Sequence, residues 1–166
     1  MTSLKKRWQK PEDDTPDPQA LERTAVGLLA RREHSRAELL HKLTSRGYAT
    51  NEVELLLDRL AAQRLQSDAR FTECYVRMRR GRGYGPQRIR AELRERGVAA
   101  ELVEQTLDTQ TTADTPRIDD IWQRKFAGQF PQDYRERARQ MRFLQQRGFP
   151  LADIHALFGR LGAGED

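Results

Sequence analysis

Leu43-Thr44-Ser45-Arg46-Gly47-Tyr48, Leu93-Arg94-Glu95-Arg96-Gly97-Val98 and Leu144-Gln145-Gln146-Arg147-Gly148-Phe149 are three versions of one phrase. Each runs leucine, two residues, Arg-Gly and an apolar residue. Five residues further on stands Val53, Val103 or Ile154. The glycines at 47, 97 and 148 lie 50 and 51 residues apart, a period that marks a tandem structural repeat. A glycine after a helical apolar stripe suits the left-handed residue that ends a helix, and the apolar residue behind it packs back on the last turn. Each phrase therefore predicts a helix end, a tight turn and a helix start.

Working outward, apolar residues recur at spacings of three, four and seven on both sides of each glycine. After it come Val53, Leu56, Leu57 and Leu60 in the first unit, Val103 and Leu107 in the second, and Ile154, Leu157, Phe158 and Leu161 in the third. Before it come Leu39 and Leu43, Ile89 and Leu93, and Met141 and Leu144. Ser35-Arg36-Ala37-Glu38 reads as a capping box, and Gly85-Pro86 puts proline at a first helical position. A leading helix completes each unit, near Leu21 to Arg32, Asp68 to Arg80 and Pro116 to Ala127. The apolar face of the second leading helix is read as Phe71, Tyr75 and Met78, with Cys74 beside it.

The predicted fold is all-α: three tandem three-helix units, about nine helices, in an elongated and curved arrangement. No alternating apolar stretch is long enough for a strand. The expected organisation is a flexible tail over 1–19, units over 20–66, 67–108 and 116–162, a Thr- and Asp-rich linker over 109–115 and a short tail over 163–166. Each unit has only about a dozen core residues and is marginal alone, so contacts with its neighbours are expected to add stability.

Lys and Arg total 30 against 25 Asp and Glu, a net charge of +5, but the excess is local. Between Arg77 and Arg96 stand eight arginines against Glu92 and Glu95, a balance of +6. A basic surface this dense implies a polyanionic or acidic partner. Helical phase, with Ile89 and Leu93 inward, sends Arg90 and Arg94 outward and leaves Arg96 at the core edge beside Arg46 and Arg147. Taking Phe71 and Tyr75 as inward sends Arg80 outward. The residues expected to contact a partner are Arg77, Arg79, Arg80, Arg82, Arg88, Arg90 and Arg94, with Tyr84.

Enzyme chemistry finds no foothold. His34, His41 and His155 are scattered, with His41 facing solvent, and no His or Cys stands at metal-ligand spacing. No metal or other cofactor is expected. Cys74, the only cysteine, excludes an internal disulfide and reads as a packed thiol. The carboxylates are helical and have basic neighbours. Arg80-Gly81-Arg82-Gly83-Tyr84-Gly85-Pro86 resembles a phosphate loop, but it lacks a preceding strand and the Lys-Ser/Thr ending, so it reads as a link between helices. The free N–H groups at the helix start after it, flanked by Arg82 and Arg88, could still receive an anion. No apolar run suits a signal peptide or a membrane span. A cytoplasmic monomer is expected.

These residues resemble the RecX regulators of the RecA recombinase. The likeness is carried by Glu33-His34-Ser35-Arg36-Ala37-Glu38-Leu39 with Lys42-Leu43, and by Asp68-Ala69-Arg70-Phe71 with Tyr75-Val76-Arg77. It continues through Gly83-Tyr84-Gly85-Pro86, Arg88-Ile89-Arg90, Glu92-Leu93, Arg96-Gly97-Val98 and Arg142-Phe143-Leu144-Gln145-Gln146-Arg147-Gly148-Phe149. It covers about residues 20 to 161, and Asp108 to Tyr134 departs from the pattern. The resemblance implies binding to RecA filaments on single-stranded DNA, restraining their growth, ATP hydrolysis and strand exchange. It implies no catalytic residue, and the arginine list above is independent of it. The alternative from another class is a direct nucleic-acid binder acting without RecA, tracking the backbone with Arg-Gly-Arg-Gly-Tyr-Gly and stacking a base on Tyr84.

Overall fold

A computed structural model describes residues 17–110 and 116–163. Most of the expected N-terminal tail, most of the linker and the end of the C-terminal tail lie outside the described residues. Within them are nine helices and no strand. The first unit holds α1 (Pro18–Leu29), α2 (Arg36–Thr44) and α3 (Thr50–Ala62). The second holds α4 (Asp68–Gly81), α5 (Pro86–Glu95) and α6 (Ala100–Thr109). The third holds α7 (Ile118–Phe126), α8 (Tyr134–Gln146) and α9 (Leu151–Gly162). The first helix starts three residues earlier than the apolar period indicates, because Asp17 caps it and Pro18 occupies its first turn.

The repeated phrase becomes a repeated turn. Gly47, Gly97 and Gly148 have φ of +92°, +70° and +88°. After each, the apolar residue's amide reaches back to the leucine carbonyl: Tyr48 to Leu43 at 3.4 Å, Val98 to Leu93 at 3.2 Å and Phe149 to Leu144 at 3.2 Å. The glycine amide bonds three residues back in all three. This is the double closure of a Schellman turn, which satisfies carbonyls that a helix end leaves orphaned. It aims each third helix back across the second.

Three separate cores result. Leu39, Leu43, Val53, Leu57 and Leu60 centre the first, Phe71, Val76, Ile89 and Leu93 the second, and Trp122, Leu144, Ile154 and Phe158 the third. Leu43, Leu93 and Leu144 are each wholly buried. Two faces differ from the apolar pattern. Helix α4 buries Phe71, Thr72 and Val76, while Met78 is 40% exposed and Cys74 is exposed. Thr72 can go inside because its hydroxyl bonds the Asp68 carbonyl at 2.6 Å, and its burial turns the helix by about one residue step. In α8 the buried partner of Leu144 is Gln140, which accepts from the Trp122 indole at 2.6 Å and donates to the Gln129 carbonyl at 3.1 Å.

The units meet end to end through their middle helices. Ser35, the cap of α2, accepts from the Glu38 amide and donates to the Arg96 carbonyl just beyond α5 at 2.7 Å. Glu38 does not close the expected capping box; its carboxylate faces Arg32 at 3.0 Å and Arg96 at 3.4 Å. At the next joint the amides of Gly85 and Gln87, at the start of α5, donate to the carbonyls of Arg147 and Gly148, just beyond α8, at 2.8 and 3.0 Å. Each joint sets the electronegative end of one helix against the electropositive start of another. Among the described residues, no hydrogen bond or ion pair joins the first unit to the third.

Candidate interaction surface

The middle unit's arginines divide into those that build it and those that face outward. At the centre is Glu92 on α5, only 15% exposed. Its carboxylate accepts from Arg79 through both Nε and Nη2, from Arg88 Nε at 3.0 Å and from the Tyr75 hydroxyl at 2.9 Å. Burial opposes its charge, but the bonds from Arg79, Arg88 and Tyr75 outweigh that and hold its pKa below the usual carboxylate value. For Tyr75, burial and then the bond to Glu92 push the phenol pKa up.

Tyr84 sits in this cluster with guanidinium groups about its ring. Arg79 lies 3.9 Å from the ring centroid, Arg88 4.6 Å and Arg147, from the third unit, 5.2 Å. Cation–π contact with guanidinium groups from the second and third units makes this half-buried ring part of the joint.

Arg80 does not point outward as helical phase suggested. Its guanidinium donates to the carbonyls of Leu107 at 2.8 Å and Gln110 at 2.7 Å, closing the end of α6. Burial alone lowers its pKa from the ordinary guanidinium value. The cause is the rotated phase of α4: with Thr72 and Val76 inward, the positions three and four residues on, Arg79 and Arg80, follow them. Arg90 forks onto Glu104 with contacts of 2.7 to 3.0 Å at the surface. Arg77, Arg82 and Arg94 are exposed, with no carboxylate within 4 Å among the described residues.

The helix start at Pro86 is closed to an anion, since the amides of Gly85 and Gln87 already serve the third unit's carbonyls. Arg88 and Arg147 reinforce that joint, donating to the carbonyls of Gln146 at 3.1 Å and Arg82 at 2.8 Å. Arg96 and Arg147 take the expected edge positions, whereas Arg46 is exposed. His34 is buried, which lowers its pKa, and its Nδ1 lies 3.0 Å from the Arg32 carbonyl. His41 and His155 are exposed. Among the described residues, no group of three or more His, Cys, Asp or Glu could hold a metal.

The third unit carries cations that the sequence analysis did not weigh. Lys125 at the end of α7 and Arg139 and Arg142 on α8 are exposed and line a groove floored by Phe126 and Phe143. A basic residue every three or four positions along α8 was the available signal. It was masked by counting net charge only where arginine is densest.

Family models for the first, second and third three-helix domains of RecX match residues 23–60, 67–107 and 117–158. The chain is 52% identical over 149 residues to the regulatory protein RecX of Pseudomonas putida strain GB-1, covering 90% of this chain and 93% of that one. It is 48% identical over 149 residues to the regulatory protein RecX of Pseudomonas syringae pv. tomato, covering 90% and 96%. The fold matches the crystal structure of RecX from Lactobacillus salivarius with a TM-score of 0.71 at 20% identity, over 89% of this chain and 97% of that one. With three domain models in order and half the residues shared with these relatives, the chain belongs to the RecX family.

Proposed function

We propose that this protein regulates the RecA recombinase: it binds RecA filaments on single-stranded DNA and restrains their growth, ATP hydrolysis and strand exchange. The observation that carries the reading is the match of all three RecX domains, in order, along units joined end to end. A string of units with separate cores offers a long surface in place of a cleft, the form suited to a polymeric partner. We place it in the cytoplasm as a monomer, where RecA and its DNA are found. No described helix is long and apolar enough to cross a membrane.

The surface we assign to the filament is the outer face of the middle unit. Arg77, Arg82 and Arg94 are free to pair with carboxylates or phosphates, and Arg88 and Arg90 stand partly exposed beside them. Arg79, Arg80 and Tyr84 hold that face in shape from within. The test is RecA's DNA-dependent ATP hydrolysis against added protein, comparing wild type with R77E/R82E/R94E. Surface substitutions of this kind cost roughly 0.5 kcal/mol or less each, so circular dichroism should show a folded variant. The variant is expected to need a higher concentration to inhibit. Inhibition at the wild-type concentration would place the contact elsewhere, and a wild type that leaves RecA untouched would end the reading.

A further inference from the structure

We propose that the groove between α7 and α8 in the third unit is a site for the phosphate backbone of single-stranded nucleic acid. It goes beyond the filament reading, because it lies on another unit and is read without RecA. The groove has a volume of about 500 Å³ and is lined by Lys125, Phe126, Arg139, Arg142, Phe143 and Gln146. No carboxylate lines it. Its floor is an edge-to-face pair, Phe126 and Phe143, with centroids 5.4 Å apart. Lys125 Nζ stands 5.7 Å from the Phe143 centroid and the Arg139 guanidinium 6.0 Å from that of Phe126, so the rings hold the cations at the rim.

The charges of this unit are segregated. Asp119 pairs with Arg160 at 2.9 Å, and Asp120 accepts from the Arg117 amide at 2.7 Å. Asp133 and Glu136 accept amides at the start of α8, at 2.7 and 3.2 Å. Asp153 lies in the first turn of α9. The carboxylates thus sit at helix starts, where the helix dipole favours them. Lys125, Arg139 and Arg142 are left with none within 4 Å among the described residues. Arg135, also exposed, extends the row one turn toward the start of α8. Steps of three and four residues along a helix rise about 4.5 and 6 Å, so these cations form a line suited to successive phosphates. An acidic peptide would meet the same charges, but Arg135 carries the α8 row beyond the residues that line the groove, which favours a polyphosphate strand. Contact through the backbone makes binding sequence-tolerant and steeply salt-dependent.

The experiment is fluorescence anisotropy of labelled oligo-dT with the full-length protein across a salt series, without RecA. Wild type is expected to bind, and K125E/R139E/R142E to bind about tenfold or more weakly at low salt. Neutralising three phosphates contributes about 2 to the log–log salt slope of a single strand, so the slope should fall by about that amount. R46E, at an exposed arginine of the first unit outside both surfaces, should bind oligo-dT as wild type does. If charge reversal perturbs the fold by circular dichroism, R139Q/R142Q is used, with a smaller loss in the same direction expected. A folded variant with wild-type affinity and slope overturns the proposal. So does a wild type that binds poly-glutamate but no oligo-dT. The two readings separate cleanly: loss of oligo-dT binding with RecA inhibition intact leaves the filament reading standing, and the converse leaves this site standing.

Discussion

The amide of Gly85 donates to the carbonyl of Arg147 at 2.8 Å, across 62 residues of chain, and this bond joins the start of α5 to the turn after α8. The turn is built tightly against it: a Cβ added at Gly148 would lie 2.5 Å from the Arg88 amide nitrogen. Gly47 has nearly the same φ, yet a Cβ there would meet nothing within 4 Å. Both Gly→Ala changes incur the left-handed penalty of about 1–2 kcal/mol. Only Gly148→Ala should also open the joint between the second and third units. Thermal unfolding with limited proteolysis checks this, G148A losing more stability and gaining cleavage near the joint. Equal effects at both glycines would remove the joint from the explanation.

Leu43, Leu93 and Leu144 occupy one position in three cores and are each fully buried. Truncation to alanine should destabilise each unit by about 2–5 kcal/mol, the range for large-to-small changes in a packed interior. Because the cores are separate, each loss should be local. Hydrogen exchange should show faster opening in the unit carrying the substitution, and uniform acceleration in all three would mean that they unfold as one body.

Glu92→Gln should be destabilising because it leaves Arg79, 13% exposed, without its counter-charge. Removing one partner of a largely buried pair costs roughly 3 kcal/mol. The folded pKa of Glu92 is depressed, so its contribution is fully present above the unfolded carboxylate value and is lost as pH falls through the folded one. The gap between wild type and E92Q in urea unfolding should therefore be wide at neutral pH and narrow in acid. A gap that widened in acid would contradict the assignment.

Ala127 ends α7 with φ of +53°, a left-handed conformation in a residue that carries a Cβ. Ala127→Gly should raise stability by about 1 kcal/mol by relieving that penalty. The net change is read from the midpoint of urea unfolding. A lower midpoint would mean that the freedom glycine adds to the unfolded chain outweighs the relief.

The helices, the three turns and the repeated leucine core were legible in the sequence, because an apolar stripe and a glycine past its end are local signals. The Arg-Gly phrase even located the residues through which the units join, though not that they do. Two helix faces were misread for one reason. Thr72 and Gln140 are polar, and their burial depends on partners that periodicity does not register. The error at Thr72 carried into the arginine surface, since it turned Arg80 from an outward residue into the cap of α6.

What the sequence by itself determined is the period, the helical class and the family, all properties of residue type at fixed spacing. What only the tertiary structure decided is which charges are free. Eight arginines in twenty residues look alike in a composition count. Arg79 and Arg80 are engaged by Glu92 and by the carbonyls that end α6, whereas Lys125, Arg139 and Arg142 of the third unit have no carboxylate within 4 Å among the described residues. A charge acts on a partner in proportion to what its own neighbours leave unneutralised. Those neighbours come from distant stretches of chain and are fixed only by the packing of helices and the joints between units.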